Sequence, residues 1–464
     1  MNSFPEHYLK AFYARDPRYD GLFFTGVIST GIYCRPVCRA RKPKRENCRF
    51  FTSPAEAEQS GFRPCLICRP ELAPGASTQP AAVPGALSTP AVSERHHRRL
   101  VKQCTGVTPR QWQRTQQLLL AKQLLTDTRL AITDVAFASG FSSLRRFNQL
   151  FKERYQLTPS ALRRDSGEQG QACSDWIQLS LGYRPPYRWP EMLGFLKARA
   201  VAGVEWIDDH SYHRTLRAGK QVGEIRVQQH PSADRLLVAV SANLLAHLSD
   251  ILSLSRAVFD TDAQPDAITE DLVTGALPGD FANTGHGLRL PGSYSGFELA
   301  VRAILGQQIT VKAASTLSQR FSDRFCAPYQ GIHPQLTRQP LAASTIAHSS
   351  VDEIASLGII ARRAQAIIDL ARLVDAGTLQ LTPGSHAEQV IQLLQSIKGI
   401  GPWTAHYVAM RALAWPDAFP KEDVVLQKAL GGVSARQAEA MSLSWRPWRS
   451  YACLHLWNSL NAKQ

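Results

Sequence analysis

A chain of 464 residues exceeds what one hydrophobic core organises, so several domains are expected. Hydrophobic residues make up 44% and charged residues 20%, which excludes a mainly disordered chain, and no apolar run approaches the ~18 residues of a membrane span. The net charge of +15 is concentrated: residues 1–165 hold 26 basic and 12 acidic side chains, residues 166–464 hold 27 and 26. That bias points to a polyanion partner for the first part, with a solvated basic surface as the plain alternative. The opening MNSFPEHYLKAFYARD lacks the basic-then-apolar pattern of an export signal, so a cytoplasmic protein is expected.

Nine cysteines, an odd number, argue against a disulfide framework. Cys34 and Cys38, then Cys65 and Cys68, form two close pairs separated by 26 residues. Such pairs each supply two ligands from one short turn to a tetrahedral thiolate zinc site, one zinc per chain; a redox or buried pair is the alternative. Cys48, Cys104, Cys173, Cys326 and Cys453 are scattered and read as small apolar residues. The charge-free run LAPGASTQPAAVPGALSTP, which follows Glu71, reads as linker sequence, and the linker is placed at 76–92. From Ser93 a helical pattern sets in, and Leu118, Leu119, Ala121, Leu124 and Leu125 recur at threes and fours. Gly140 breaks a short helix, Ser142 or Ser143 can cap the next, and a helix from Ser143 to Glu153 follows. This is a helix-turn-helix pattern whose second helix offers Arg145, Arg146, Asn148, Gln149 and Lys152 to phosphates and base edges, or to plain solvent.

Short strand-like runs succeed it: DWIQLSL, GVEWI, YHRTLRA, GEIRVQQ and RLLVAVS, with a helix over WPEMLGFLKARAV. Helical periodicity then holds to the end. In SIKGIGPWTAHYVAMRAL, Gly399 and Gly401 make a tight turn ahead of a helix opening near Pro402, whose backbone N–H groups can hold a phosphate or simply join two helices. Asp423 stands just before an apolar helix, where an aspartate is most often an N-cap. The fold class expected is multidomain α+β. It comprises a zinc-binding domain at 1–75, a helix-turn-helix region at 93–165, an antiparallel α+β layer at 173–285 and an all-α domain at 286–464.

On these motifs the chain resembles three families. TGIYCRPVCRARKPKRENCRFF and GFRPCLICRPE are similar to the Ada-type zinc methyl-acceptor domain. ITDVAFASGFSSLRRFNQLFKERYQLTPSALRR resembles the AraC-type helix-turn-helix. PPYRWPEMLGFLKARAVAGVEW, LRLPGSYSGFELAVRAILGQQIT, GIGPWTAHY, Asp423 and PWRSYACLHLW resemble the AlkA-type 3-methyladenine DNA glycosylases of the helix-hairpin-helix family.

The resemblance implies alkylation repair coupled to its regulation, with double-stranded DNA, both alkylated and promoter, as partner. RNA polymerase is a candidate partner, no membrane is involved, and a monomer is expected. It makes Cys34, Cys38, Cys65 and Cys68 the zinc ligands, with Cys34 in the methyl-acceptor position. It makes Asp423 the catalytic carboxylate, Trp403, Tyr407 and Trp457 pocket aromatics, and Gly399 and Gly401 the DNA-binding hairpin. Gln308 stands where the family places a leucine wedge, and glutamine can fill the same gap. Trp403 occupies the place of the lysine used by strand-cutting relatives, which implies a monofunctional glycosylase. Two departures matter. The first helix-turn-helix unit keeps only its recognition end, with His97 and Val101 at places that usually hold larger apolar residues. A zinc methyl trap without promoter-specific activation is therefore the alternative. No PCHR motif is present, so direct repair of O6-methylguanine is not expected.

Overall fold

The computed structural model describes residues 6–76, 94–165 and 175–461. Beyond Ala76 the expected linker lies outside them, as do Cys173 and the side chains of His97 and Cys104. The chain divides into two units: Met1–Pro185 with Val227–Ser253 and Thr261–Ala263, and Pro186–Arg226 with Leu254–Asp260 and Gln264–Gln464.

The first unit opens with α1 (Glu6–Ala14), β1 (Phe24–Val27), β2 (Ile32–Cys34), β3 (Cys48–Phe51), α2 (Pro54–Gln59) and β4 (Arg63–Pro64). The strands pair in the order β3-β1-β2-β4, β1 antiparallel to both β2 and β3, β4 parallel to β2. Phe24, Tyr33, Phe51 and Phe62 close a small core, the size at which a metal commonly supplies what apolar burial cannot.

Helices α3 (Glu94–Thr105), α4 (Pro109–Asp127), α5 (Ile132–Ala138), α6 (Leu144–Tyr155) and α7 (Pro159–Asp165) follow. Thr108 and Gln111 form the capping box that starts α4, and the apolar residues spaced by threes and fours along it are buried. Gly140 turns the chain at φ +82, and Ser143 starts α6 by accepting from the Arg146 N–H. Helix α6 runs past the expected end at Glu153 because Tyr155 is drawn into the interior, stacked edge-on against Phe151.

Polar side chains join the cysteine-bearing part to these helices. Ser53 Oγ donates to the Thr105 carbonyl at the end of α3 (2.7 Å). Buried Glu58 accepts from Tyr33 (3.1 Å), Thr115 (3.0 Å) and Tyr155 (3.3 Å). Lys122 of α4 reaches Glu71 at 2.6 Å, the two side chains 1% and 2% exposed, and Arg69 binds both Glu71 and Asp127. Removing one partner of such a buried pair costs roughly 3–5 kcal/mol, because the survivor is left uncompensated.

Next come β5 (Trp176–Gly182), α8 (Trp189–Lys197), β6 (Glu205–Ile207), β7 (Ser211–Ala218), β8 (Gln221–Gln229), β9 (Arg235–Ser241) and α9 (Leu248–Val258). The sheet order is β5-β9-β8-β7-β6; β5 lies antiparallel to β9 and β6 to β7, and the boundary between the units falls inside β8. Helix α8 stops at Lys197, short of the expected 201, and Gly203 at φ +83 then turns the chain ahead of β6.

The second unit continues through α10 (Pro265–Thr274), α11 (Gly296–Leu305), α12 (Val311–Phe325), α13 (Ala343–Ala347), α14 (Val351–Ala355) and α15 (Ala361–Asp375). It ends with α16 (Ala387–Ser396), α17 (Pro402–Ala412), α18 (Val424–Ala429), α19 (Ala435–Ser442) and α20 (Arg449–Asn461). Ile304, Phe321, Ile346, Ile367, Leu394 and Val408 belong to its main core. No helix among the described residues is long and apolar enough to cross a membrane.

Candidate functional site

Cys34 ends β2, Cys38 closes the turn after it, and Cys65 and Cys68 lie in the turn that follows β4. The parallel pairing of β2 with β4 brings the two turns together. All four sulfurs lie within 4.8 Å of one another, and the Cys38 and Cys65 sulfurs are 4.0 Å apart. Four sulfurs at ~2.3 Å around one tetrahedral zinc would be about 3.8 Å apart, so the cage has the dimensions and the soft donor set zinc requires. Among the described residues no other group of three or more metal-ligating side chains converges this way.

The surroundings of the four thiols differ. The Arg35 N–H points at Cys68 Sγ (3.3 Å), the Cys68 N–H at Cys65 and the Ala40 N–H at Cys38. Cys34 receives no backbone N–H among the described residues. A hydrogen bond to sulfur withdraws electron density from it, and Cys34 is spared that withdrawal. Arg35 also pairs with Asp20 and donates to the Cys68 carbonyl, fixing the turn between Cys34 and Cys38.

On α6 the inner face is Phe147, Leu150, Phe151 and Tyr155, all buried. Arg145, Arg146, Asn148, Gln149 and Lys152 face outward, with Gln149 bonded to Glu153 (2.8 Å). Helix α3, expected to lack its supporting helices, buries Val101 and has its last carbonyl held by Ser53.

In the second unit, α16, the turn Ile397–Gly401 and α17 form the hairpin. Gly399 sits at φ +107, a conformation side chains resist; Gly401 is at φ −91, so its lack of a side chain is not a backbone requirement. Gln308, exposed at φ +55, projects from a turn braced by its neighbour: Gln307 Nε2 donates to the Gly399 carbonyl and to Thr404 Oγ1 (both 3.0 Å). The Arg363 guanidinium donates to the Gln307 carbonyl.

Asp423 caps α18, its Oδ1 accepting from the Leu426 N–H at 2.9 Å. The same carboxylate accepts from the indole of Trp403 (Oδ2, 2.7 Å) and more loosely from that of Trp457 (Oδ1, 3.3 Å). Trp403 and Tyr407, one turn apart on α17, lie parallel with centroids 5.3 Å apart; Tyr407 is 6.3 Å from Trp457. The four residues separated in sequence thus meet at one point: a carboxylate, 9% exposed, walled by three aromatic rings. Glu422, beside it, has a buried Oε2 without a protein partner. Two residues no sequence pattern singled out complete the site. Arg411 donates to the Tyr407 hydroxyl (2.8 Å) and to the carbonyls of Pro291 and Gly292; Arg199, on the Phe195 ring at 3.7 Å, also reaches Tyr407.

Four family models match in succession: the metal binding domain of Ada at 7–71, a helix-turn-helix domain at 90–165, the AlkA N-terminal domain at 178–295 and the HhH-GPD superfamily of base excision DNA repair proteins at 301–449. A probable bifunctional transcriptional activator/DNA repair enzyme AlkA of Mycobacterium tuberculosis is 34% identical over 487 aligned positions, covering 98% of this chain and 96% of the relative. DNA-3-methyladenine glycosylase 2 of Escherichia coli is 35% identical over 60% of this chain and 96% of its own length. The solved 3-methyladenine DNA-glycosylase of Archaeoglobus fulgidus shares the fold over 60% of this chain and 96% of its own, with a TM-score of 0.50 at 18% identity. The chain belongs to the family of bifunctional transcriptional activator/DNA repair enzymes that join an Ada-type zinc domain and a helix-turn-helix to an AlkA-type glycosylase.

Proposed function

We propose that the chain excises alkylated bases, 3-methyladenine and 7-methylguanine among them, and takes a methyl group from DNA methylphosphotriesters onto Cys34, which switches its hold on promoter DNA. The observation that carries the enzymatic reading is the Asp423 carboxylate, bonded by two indoles beside a parallel aromatic pair. Cleaving a base from its sugar builds positive charge on the sugar, and a fixed carboxylate opposes that charge and can orient the attacking water. Alkylation at a purine ring nitrogen makes the base cationic, and aromatic faces attract cations. The base must leave the stack to arrive there, with Gln308 placed to fill the gap. No amine stands at position 403, so the product is an abasic site rather than a cut strand, as in a monofunctional glycosylase of the 3-methyladenine type.

In the zinc domain, a zinc ion held by Cys34, Cys38, Cys65 and Cys68 would keep the four sulfurs as thiolates at neutral pH. Cys34 Sγ then forms the new S–CH3 bond as the O–CH3 bond of the triester breaks, returning a charged phosphodiester. Nothing in the chain reverses that step, so each molecule reacts once. Support for an activator, rather than a methyl trap alone, comes from α3, held at its end by Ser53, and from the outward basic face of α6. Binding as a monomer and recruitment of RNA polymerase belong to the same reading.

The glycosylase reading is tested with Asp423→Asn, which keeps shape and removes charge. Excision of 3-methyladenine should fall by on the order of a hundredfold or more, while affinity for abasic-site DNA survives through the hairpin. Near wild-type excision by this variant, or a loss confined to the control Glu422→Gln, would move the chemistry elsewhere. Borohydride with abasic DNA should trap no covalent adduct.

A further inference from the structure

Strand β5 stands at the end of its sheet, paired with β9. An edge strand presents open main-chain groups and is ordinarily covered by a helix or loop. In the first unit that cover comes from the cysteine-bearing module and its neighbouring helix. Gln123 of α4, itself buried, donates to the Ser180 carbonyl of β5 at 2.8 Å. The Leu72 carbonyl lies so close to Gly182, the last residue of β5, that a Cβ there would run into it. Arg184, 3% exposed, donates to the Pro74 carbonyl (3.3 Å) and to the carbonyls of Asp262 and Ala263. Asp262 in turn accepts from the Gly75 N–H at 2.6 Å.

The segment 72–76 is thereby held from two sides. Ala73 and Ala76 belong to the small core that Phe24, Tyr33, Phe51 and Phe62 close, while the segment's backbone meets the end of β5. It starts four residues after Cys68. Gly21 abuts the Pro74 carbonyl, again with no room for a Cβ, and its neighbour Asp20 pairs with Arg35, whose N–H points at Cys68 Sγ. The charges of Asp20 and Arg35 also reach Asp234, and those of Arg69 and Asp127 reach Arg235 at the start of β9. For a core this small, the free energy of binding a metal is largely free energy of folding. What stabilises one side of a shared segment protects the other, provided the two open together.

We infer that the segment 72–76 and Arg184 carry the stability the four cysteines gain from zinc into the sheet of the AlkA-type domain, so that the glycosylase's resistance to unfolding depends on zinc although no step of base excision uses the metal. The statement about excision rests on the proposed glycosylase activity; the coupling of β5 and β9 to the cysteine cage does not. Without the metal the segment loses its hold on the cage side and the edge of β5 is uncovered. Strand β5 leads, four residues on, into Pro186, where the second unit begins.

The test is amide hydrogen exchange of the full chain, zinc-loaded and after removal of zinc by a chelator under reducing conditions. Exchange in β1 and β2 should quicken on chelation, and exchange in β5 and β9 should quicken with it, by about tenfold or more. Gly182→Val forces the segment off the strand, and Arg184→Met removes its side-chain tie without crowding it. In either variant β5 and β9 should exchange at one rate with and without zinc, and Arg184→Met decides the matter if the bulkier variant does not fold. Wild-type β5 and β9 indifferent to chelation overturn the coupling, as does an Arg184→Met chain that keeps the wild-type zinc dependence. In parallel, the half-life of 3-methyladenine excision at elevated temperature should shorten on chelation in wild type and stay unchanged in Arg184→Met. A half-life unaffected while β5 and β9 loosen overturns the dependence of the glycosylase on zinc. A zinc-loaded chain that excises nothing overturns the glycosylase reading instead, and the coupling stands or falls on the exchange rates.

Discussion

Single residues carry the two chemistries by what points at them. Asp423 was readable in the sequence as a helix cap and is proposed, by resemblance, as the catalytic carboxylate; in the structure one oxygen accepts the Leu426 N–H as the cap and the other accepts the Trp403 indole. The contributions of Arg199 and Arg411 were not readable, because arginines at helix ends look like solvated charge until the fold brings Tyr407 between them. The same logic separates the four thiols. Cys38, Cys65 and Cys68 each receive a backbone N–H, and Cys34 receives none among the described residues. Spacing predicts the four ligands without ranking them; the N–H bonds set Cys34 apart from the other three. After exposure to methylphosphotriester DNA, mass spectrometry of the zinc-loaded chain should place a single methyl group on the peptide bearing Cys34, and Cys34→Ala should take up none. Methyl found on Cys38, Cys65 or Cys68 would show that hydrogen bonding to sulfur does not choose the nucleophile.

At the scale of elements, periodicity located most helices and strands. The β9 strand spans the residues its sequence run indicated, and α6 differs by two residues at its end. What periodicity could not reveal is a polar side chain used as an interior part. Glu58, on α2, sits where Tyr33 of β2, Thr115 of α4 and Tyr155 of α6 converge on its carboxyl group. In sequence it is one acid in a polar run. Folded, burial outweighs the hydrogen bonds from Thr115 and Tyr33 and the nearby Arg154, and lifts Glu58 to about 7 from an ordinary 4.5. A raised carboxyl group keeps its proton in the folded state after the unfolded chain has lost it. Its stabilising effect is therefore complete below pH 4.5 and is lost as pH climbs to 7. At ~1.4 kcal/mol per pH unit across that window the loss is on the order of 3 kcal/mol. Glu58→Gln can still accept from the hydroxyls and has no proton to lose. Its melting temperature should exceed wild type above pH 7, with the gap closing toward pH 5. A gap of constant size across that range would remove Glu58 from the account of how α2 meets α4 and α6.

For the whole molecule, the order of modules was legible from composition and motif, and the extent of their joining was not. A charge-free, Pro- and Ala-rich run before α3 reads as a linker and says nothing of whether the domains on either side touch. The first unit holds both, fastened by Lys122 to Glu71, Arg69 to Asp127 and Ser53 to Thr105, contacts between residues that read singly as surface. One of those fasteners adjoins a zinc turn in sequence, since Arg69 follows Cys68, and Tyr33, which donates to Glu58, precedes Cys34. The charge state of the sulfur cage is thus a property of the same body that carries the basic face of α6. Four thiolates around one zinc ion leave about two negative charges, and methylation of Cys34 removes one. The surrounding residues 1–165, with 26 basic and 12 acidic side chains, already attract phosphate, so the cage opposes its own neighbours until it reacts. Methylated protein should bind duplex DNA more tightly than unmethylated protein. The difference should grow as salt is lowered, because a charge within a Debye length of ~10 Å at 0.1 M is less screened at lower ionic strength. Fluorescence anisotropy across a salt series measures it directly, with Cys34→Ala as the arm that cannot switch. Curves for methylated and unmethylated protein that coincide at every salt concentration would rule out an electrostatic origin for the switch. Curves displaced by a constant factor independent of salt would point to a rearrangement of α2 against α4 and α6 instead.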